Sequence, residues 1–551
     1  MQVVQKTGIL RLKFTFNLLL LGFLLAFGPY ATAQQVIPPT VPTDTMRLIQ
    51  IVQGKSLRHV TIDSLTQLET IAGTVIIKEG LTTFYCDSAT LNKRTNIMEA
   101  FGNIHINDND SIHTYAQYLK YIGGERMAYL KKNVKLTDHK GGVLLTDDLD
   151  YNLRTGIATY KNGGQITNAK TILNSTEGIY HADTKDVYFK KNVHLVDPKY
   201  DIRTDSLAYN LTTDIATFIA PTHIVSKDGV IDTKSGTYNL KTGEAVFYER
   251  TAFRDSTHYG IADKMHYDEK THTIQMEGKA KLVDSVNRVT VLGNLIYLNT
   301  LQNSFFATSK PVMVLYRDGD STYIAADTLF SGLRKYDSLE RKQVTATDTL
   351  LKRPVAVKSS ADTSIRYFLA FHHVRIFNDS LQAVSDSLHY STADSTFKLF
   401  GQPVVWNEKT QVTGDTIYMY TERQKPKRLY VFNNGIIINQ ANAVMYNQIA
   451  GRTLTGYFTN GVIDYVRVKG SPAESIYYPQ GDDSAYVGMN RSSGDVIDIY
   501  FVKKELNKVK FVNNVDGTLY PLRQIPPGQK QLKNFIWLDK RRPKNKLELF
   551  E

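Results

Sequence analysis

The sequence predicts an all-β protein made of stacked repeats of about 29 residues. Two observations lead to this fold class. First, tyrosines recur at a constant spacing, at Tyr151, Tyr180, Tyr209, Tyr238 and Tyr267. Second, apolar and polar residues alternate around each tyrosine, which is typical of strands with one buried face. Equal steps without an insertion indicate a stacked structural repeat. We call these five residues the tyrosine ladder.

Every repeat has the same internal order. A first strand alternates, as in Leu149 and Tyr151. A turn of the type N-x-x-T-G or N-x-x-T-D follows, as at residues 152–156 and 210–214, and a second alternating strand comes after it. A polar break then precedes a third short strand, such as residues 193–196. Since paired strands lie ~4.8 Å apart, the apolar faces of successive repeats form one continuous surface, which no single repeat can bury alone.

The repeats do not run through the whole chain. Residues 332–365 are polar and charged and lack the tyrosine phrase, so they predict an insertion between two arrays. The tail after Pro521 carries the basic run KRRPKNK, and we expect it to be mobile or to dock. The predicted segments are a signal peptide at 1–33, a flexible lead-in at 34–51, a first array at 52–331, the insertion at 332–365, a second array at 366–521 and a basic tail at 522–551.

The first 33 residues have the pattern of a cleaved signal peptide. A basic region precedes an apolar region at residues 14–27, and Ala31 and Ala33 fit an A-x-A cleavage signal. No later stretch reaches ~18 consecutive apolar residues, so we expect an exported chain without a helical membrane span. Removing the basic region's three cations lowers the formal net charge from +12 to +9. That charge favours an anionic glycolipid or membrane surface, and nucleic acid is a poor match for an exported protein.

Composition and motifs argue against an enzyme. The single cysteine, Cys86, excludes an intramolecular disulfide and a cysteine-based zinc site. We find no phosphate-binding loop, no zinc protease motif and no dinucleotide fingerprint, so we expect neither cofactor nor catalytic metal. His372 and His373 are adjacent, and neighbours on a strand face opposite sides, which makes a shared metal difficult.

Regularly placed aspartates support the same conclusion. They occur once per repeat, at Asp147, Asp205, Asp263, Asp386 and Asp415. Catalysis needs a constellation of different groups at one position, whereas one aspartate per repeat is typical of a turn or strand end.

Three phrases resemble those of the OstA/LptA-like family. These are the D-S-L-x-Y-N-x-x-T-x-x-A-x-F phrase at 205–218, the G-D-x-I-x-x-Y phrase at 414–420 and the S-G-D-x-I-x-I-Y-F phrase at 493–501. The resemblance covers about residues 52–521. It implies an elongated open β-jellyroll with a lipid groove between its walls, and a periplasmic protein that moves lipopolysaccharide towards the outer membrane. It also implies lipid A as ligand and end-to-end pairing of strand edges, either with other transport proteins or with further copies of the chain.

The candidate lipid-binding residues are the tyrosine ladder and apolar residues on the shorter strands. The tyrosines either fill a solid core or line the groove. An apolar groove would suit acyl chains, because each buried methylene contributes ~0.8 kcal/mol. The full set is Tyr151, Tyr180, Tyr209, Tyr238, Tyr267, Phe218, Phe247, Leu136, Val193 and Leu282.

Basic pairs recur as well. Lys131-Lys132 and Lys190-Lys191 occupy one repeat position, which favours a turn role first and a charged rim second.

Two alternatives remain open at this point. A structural surface solenoid or adhesin would have a closed, filled core, and a parallel β-helix enzyme acting on polysaccharide would need a catalytic cluster on one face. A closed core would argue against lipid transport, whereas an open groove would support it.

Overall fold

A computed structural model describes residues 48–63, 66–138, 141–317, 320–335, 364–422, 425–502 and 505–550. The predicted signal peptide, most of the lead-in and residues 336–363 of the predicted insertion lie outside these described residues. Residues 48–551 form one compact unit. Within the described ranges, no helix is both long and apolar enough to cross a membrane.

Antiparallel strands make up most of the described chain, which confirms the predicted all-β fold class. The strands of the first repeats are β1 (Gln50–Gln53), β2 (Ser56–Thr61), β3 (Gln67–Glu79), β4 (Thr82–Asn92), β5 (Ile97–Asp108), β6 (Ile112–Ile122), β7 (Met127–Asp138), β8 (Val143–Asn152), β9 (Ile157–Tyr160), β10 (Gly164–Asn168), β11 (Thr171–Ser175), β12 (Glu177–His181), β13 (Asp186–Val196) and β14 (Tyr200–Asn210).

The following strands, up to the segment that is not described, are β15 (Ile215–Phe218), β16 (Thr222–Ser226), β17 (Gly229–Thr233), β18 (Gly236–Asn239), β19 (Glu244–Phe247), β20 (Thr251–Arg254), β21 (His258–Ala262), β22 (Lys264–Asp268), β23 (Thr273–Asp284), β24 (Val289–Asn299), β25 (Ser304–Thr308), β26 (Val312–Arg317), β27 (Asp320–Ala325) and β28 (Thr328–Lys335).

The remaining strands are β29 (Ser364–Phe377), β30 (Leu381–Ser391), β31 (Thr396–Phe400), β32 (Val404–Asn407), β33 (Thr410–Thr413), β34 (Thr416–Glu422), β35 (Lys425–Gln440), β36 (Tyr446–Thr459), β37 (Val462–Tyr477), β38 (Gly488–Val502), β39 (Glu505–Val512) and β40 (Asp516–Pro521). Three short 3-10 helices follow, at Leu522–Gln524, Asp539–Arg541 and Lys546–Leu549.

Many of the long strands are interrupted near their middle by a bulge. In β3, residues 68–72 pair with one half of β4 and residues 75–79 with the other half, and the register shifts between them. Two consecutive residues at such a shift have positive φ, which bends the strand. The described bulges of this kind include Gly73-Thr74, Gly102-Asn103, Lys132-Asn133, Lys191-Asn192, Gly278-Lys279, His372-His373 and Asn433-Asn434. We call this line of bulges the bend.

The bend divides the sheet into two walls. The half that carries the tyrosine ladder is called the first wall here, and it includes β9, β12, β15, β18, β19 and β22. The other half, called the second wall, includes β10, β11, β16, β17, β20 and β21. In several repeats the chain forms two separate short strands, one in each wall, on either side of the bend. In other repeats one bulged strand contributes to both walls.

The two walls pack against each other through one face of each. Phe84 of the second wall lies 4.8 Å from Tyr121 of the first wall, measured between ring centroids. Further along, Tyr200 and Tyr238 make the same kind of contact at 4.8 Å. Buried apolar side chains from Ile49 onwards therefore form one continuous cluster, called the interior below.

The sheet continues across the predicted insertion. Residues 328–335 of β28 pair with residues 364–371 of β29, and β27 pairs with the other half of β29. The segment between them therefore connects two neighbouring strands of one sheet. The domain boundaries predicted at 332–365 stay a prediction.

The turns follow the predicted N-x-x-T pattern. The side-chain oxygen of Asn152 accepts hydrogen bonds from the amides of Arg154 and Thr155, at 2.9 and 3.1 Å, and Gly156 has a φ of 68°. Asn210 makes the same pair of bonds two repeats later, at 2.9 Å each. This local capping by asparagine confirms the turn that the sequence predicts.

Residues 522–550 cross the outer face of the second wall, the face opposite the interior. Gln448 donates to the carbonyl of Lys530 at 2.9 Å and accepts from the amide of Leu532 at 2.8 Å. Gln411 makes an equivalent pair of bonds with two further backbone groups of the tail, both at 2.7 Å. Gln382 accepts from a tail arginine at 2.8 Å. Of the two predicted behaviours of the tail, docking is the one observed.

Replacing Gln448 by alanine is expected to loosen the tail, because it leaves the amide of Leu532 and the carbonyl of Lys530 without these partners. Such a loss costs about 1–3 kcal/mol. Limited trypsin digestion should then cut the tail several-fold faster. The matched control is Gln531→Ala, which removes an exposed side chain and should leave the cleavage rate unchanged. Equal cleavage rates in both variants would show that the hydrogen bonds of Gln448 do not hold the tail in place.

Candidate functional site

The ten candidate lipid-binding residues all contribute to the interior. Nine of them are buried, and Tyr267 is partly buried against the same cluster. The structure therefore brings the predicted residues together on one continuous surface. Their predicted contact with lipid stays a prediction.

The side opposite the bend, where the hairpin turns of both walls lie, is called the mouth. Here the hydroxyl of Tyr121, on the first wall, donates to the carboxylate of Glu79 at the end of the second wall. Both side chains are buried, with exposed fractions of 0 % and 1 %. Arg126 adds a 3.6 Å ion pair to Glu79. The two walls are therefore joined across the mouth at this repeat.

The next repeat has the same kind of bridge. Tyr151 of the ladder donates to Asp108 at 3.0 Å, and Asp108 also accepts from Thr82 at 2.8 Å. Burial raises the pKa of the Tyr151 hydroxyl, and the Asp108 carboxylate raises it further. The hydroxyl is thus a proton donor at neutral pH, which suits the observed bond.

A third bridge lies further along the mouth, and here the tyrosine is on the second wall and the carboxylate on the first. Tyr200 of the second wall donates to Glu269 of the first wall at 2.7 Å, and Lys199 donates to the same carboxylate at 2.9 Å. Although burial alone would raise the pKa of Glu269, the hydrogen bonds from Lys199 and Tyr200 hold it below its usual value. The bridges thus combine short-range hydrogen bonds with charge attraction.

The sequence analysis missed these bridges. Tyr121 lies one repeat before Tyr151, the first tyrosine of the ladder. A row of carboxylates recurs with the same spacing at the ends of β3, β5 and β7, namely Glu79, Asp108 and Asp138. That second periodic row was a usable signal. It did not reveal that the row meets the tyrosines, because the partners are 42 and 43 residues apart.

The recurrent aspartates lie near the bend, away from the mouth. Asp415 accepts from Asn434 at 3.1 Å, and Asp87, which holds the equivalent position in an earlier repeat, accepts from Asn103 at 2.9 Å. Asp263 forms a 2.8 Å ion pair with Arg250. These carboxylates stabilise the bulges, which supports the structural role inferred from their regular spacing.

The histidine pair and two lysine pairs also belong to the bend. His372 contacts Asp386 at 3.2 Å and His373 contacts Asp327 at 2.9 Å. The two rings thus bind different carboxylates, and no group of three metal-ligating side chains is assembled anywhere in the described ranges. Lys132 and Lys191 are bulge residues with φ of 66° and 62°, in agreement with a turn role.

Two cavities open along the mouth beyond the first bridges. The first is lined by three of the ten candidate residues, Tyr238, Phe247 and Tyr267. Its apolar lining includes Ile224, Ile231, Phe247, Phe253, Met265 and Ile274.

The second cavity begins at the strands where the first ends. Its apolar lining includes Val289, Phe305, Met313, Leu315, Phe368 and Phe397. The interior is therefore filled in the first repeats and contains apolar cavities in the middle of the sheet, where Tyr200 of the third bridge lines the first cavity.

Polar groups surround the first cavity at its rim. Burial raises the pKa of Tyr267 to about 12, with smaller contributions from the nearby carboxylates Asp228 and Glu269. Asp255 accepts from the amides of Thr257 and His258 at 2.7 and 2.6 Å. Burial would raise the pKa of Asp255, yet hydrogen bonds from the His258 ring and from these amides lower it to about 2. The rim is thus polar and the floor apolar.

The lowered pKa of Asp255 predicts a defined pH dependence. An unfolded aspartate has a pKa near 3.9, so the charged form stabilises the fold by about 2 kcal/mol above that pH. This contribution is lost as the pH falls from about 4 towards 2. Asp255→Asn should therefore lower the urea midpoint at pH 7 and pH 5, whereas the difference from the wild type should vanish near pH 2. A constant difference across this range would contradict the assignment.

One sheet folded along a bend, with an apolar interior that opens at the mouth, defines a β-jellyroll-like protein. Residues 49–205 match the family of OstA-like proteins, and residues 158–259 match the LptC-related lipopolysaccharide-assembly family. Residues 49–259 are thus similar to two lipopolysaccharide-transport families, which confirms the resemblance predicted from the sequence. A comparison with curated proteins finds no match.

Both are lipopolysaccharide-transport families. The matches support a role of the chain in lipopolysaccharide transport. They end at residue 259, so the resemblance over the remainder of residues 52–521 stays a prediction.

Proposed function

We propose that the chain is a periplasmic carrier that holds acyl chains of lipopolysaccharide between its two walls, without covalent chemistry. The observation that carries this proposal is the pair of apolar cavities along the mouth. Each methylene transferred from water into such a lining contributes ~0.8 kcal/mol, so an acyl chain of a dozen carbons gains several kcal/mol. The family matches supply the class of ligand.

The proposal places the lipid in the middle of the sheet, not along the whole ladder. In the first repeats, Tyr121 and Tyr151 bridge the mouth and their rings are buried in a packed interior. There the tyrosines stabilise the fold. Around Tyr238, Phe247 and Tyr267 the ladder lines the first cavity, and these three candidates are the ones we assign to lipid contact.

The partners follow from the strand edges. In the described chain, β1 and β2 pair with β3 alone, and β39 and β40 pair with β38 alone. Each wall therefore has an unpaired backbone edge at both ends, and such edges accept a strand from another protein. We propose that other lipopolysaccharide-transport proteins, or further copies of the chain, dock at these edges.

Site-specific photo-crosslinking in cells tests the lipid claim. The crosslinker is placed at Phe253 or Met265 in the first cavity, at Leu136 in the bridged part of the interior, and at exposed Tyr248 as a control. Lipopolysaccharide adducts are expected from the two cavity positions and not from Tyr248. Adducts at Leu136 would extend the lipid path through the whole interior.

Absence of adducts at Phe253, Met265 and Leu136 would instead favour the structural alternative. A surface solenoid needs a filled interior, and the bridged repeats have one. The same crosslinkers placed on β2 and β39 would then report protein partners alone.

A further inference from the structure

The second cavity contains one cationic side chain that no described carboxylate neutralises by direct contact. Arg366, near the start of β29, lines this cavity together with six apolar side chains. Its guanidinium donates to the side-chain oxygen of Asn303 at 2.9 Å and to its carbonyl at 3.5 Å. A third bond goes to the hydroxyl of Ser331 at 3.3 Å. All three acceptors are neutral.

These bonds hold the guanidinium in place and leave part of its donor capacity unused. A guanidinium has five N–H groups, and three are engaged here. The backbone amide of Arg366 is separately bonded to Thr392 at 3.0 Å. The side chain is therefore fixed at the rim of the cavity, with two N–H groups left for a further acceptor.

One acid, Asp284, faces Arg366 from the opposite wall. Asp284 lines the same cavity, and its charge favours the cationic form of Arg366. Its oxygens, however, accept from the amide and the side chain of Asn287, at 2.9 and 2.6 Å. Burial lowers the pKa of Arg366 by more than Asp284 raises it. A half-buried cation in this position gains more from an anion than one in water does, because the surroundings screen charge less.

We propose that Arg366 binds the anionic headgroup of an amphiphile whose acyl chain lies on the apolar floor of the second cavity. An oxyanion, such as a phosphate on a glycolipid, fits a guanidinium with two parallel donors. The apolar lining, from Val289 to Phe397, takes the attached hydrocarbon. Apolar floor and fixed cation together match an anionic lipid better than a neutral one.

This inference rests on the proposed lipid-carrier function and adds a specificity-determining residue to it. The proposed anion is a phosphate that the lipid itself carries. A free fatty acid presents the same chemistry through its carboxylate, and the experiment separates the two sources.

The test is a binding titration on the purified full-length chain, in which a fluorescent fatty-acid probe is displaced by competing lipids. The competitors are lipid A with its phosphates, enzymatically dephosphorylated lipid A, and a saturated fatty acid. Arg366→Gln keeps hydrogen-bonding capacity and removes the charge. Arg428→Gln removes an exposed arginine of β35 and serves as the matched control.

Arg366→Gln is expected to lower the affinity for phosphorylated lipid A about tenfold, which corresponds to ~1.4 kcal/mol, and to leave the affinity for dephosphorylated lipid A unchanged. Arg366→Lys should retain part of the preference. Asp284→Asn removes the facing negative charge and should raise the affinity for phosphorylated lipid A two- to threefold. The control variant should match the wild type for every competitor.

The opposite results are equally defined. Equal weakening of both forms of lipid A by Arg366→Gln, or unchanged affinity in both Arg366→Gln and Asp284→Asn, overturns the headgroup site while leaving the carrier function in place. A change confined to the fatty acid assigns Arg366 to a carboxylate and also overturns the phosphate assignment. Failure of the wild type to bind either form of lipid A rejects the carrier function, and the headgroup site with it.

Discussion

Replacing Phe247 by alanine is expected to lower the free energy of unfolding by about 3–5 kcal/mol. The side chain is 0 % exposed and lies 6.3 Å from the ring of Phe218, in a stacked arrangement. It also lines the first cavity, so truncation removes the contact with Phe218 and enlarges that cavity. The loss therefore combines the transfer of the ring out of its apolar surroundings with enlargement of the cavity.

Urea unfolding followed by circular dichroism measures this effect as a fall in the midpoint. The matched control is the next residue, since Tyr248 is 55 % exposed and Tyr248→Ala should stay within about 0.5 kcal/mol of the wild type. Similar midpoints for the two variants would show that the interior is not packed at Phe247. Lipid added to Phe247→Ala should raise its midpoint, since a ligand that binds only the folded state stabilises it.

The second large effect is expected at Trp406 on the outer face of the second wall. Trp406 is 0 % exposed and packs with Val384, Val404 and Leu538 of the tail. Its indole nitrogen donates to Gln411 at 3.2 Å, and Gln411 also holds two backbone groups of the tail. Trp406→Ala should cost about 3–5 kcal/mol and detach this part of the tail.

Fluorescence provides a direct measurement, because the chain has two tryptophans and the variant leaves Trp537 alone. Trp537 lies in the tail with its ring 5.3 Å from Tyr446. Its emission should shift to longer wavelength in Trp406→Ala at urea concentrations that leave the wild type unchanged. Trp406→Phe keeps an aromatic ring and should show a smaller shift. Identical spectra in both variants would mean that Trp406 does not anchor the tail.

These two residues illustrate how far local patterns reach. The alternation around Phe247 marks it as facing the same side as the ladder, and the structure confirms that it does. In Val404-Val405-Trp406, by contrast, both faces of the strand are apolar. That pattern indicates burial on both sides, but the sequence offers no way to know that the second cover is the chain's own tail.

The tail itself shows why composition was ambiguous. Its prolines and basic run are typical of an exposed segment, and mobility or docking fitted equally well. Docking depends on three glutamines from β30, β33 and β36, whose tail partners are distant in the chain, from 82 residues away for Gln448 to 160 residues away for Gln382. A side-chain amide on a strand gives no local sign that its partner is a distant group of the tail.

The sequence by itself determined the all-β class, the tyrosine repeat, the asparagine turns and the family resemblance, because strand alternation and turn chemistry are properties of neighbouring residues. The tertiary structure alone decided where the interior is filled and where it is hollow. The bridges that close the mouth join Glu79 to Tyr121, Asp108 to Tyr151 and Tyr200 to Glu269. Period-two alternation fixes which face of a strand is apolar, but not which face of another strand it meets once the sheet is folded along the bend.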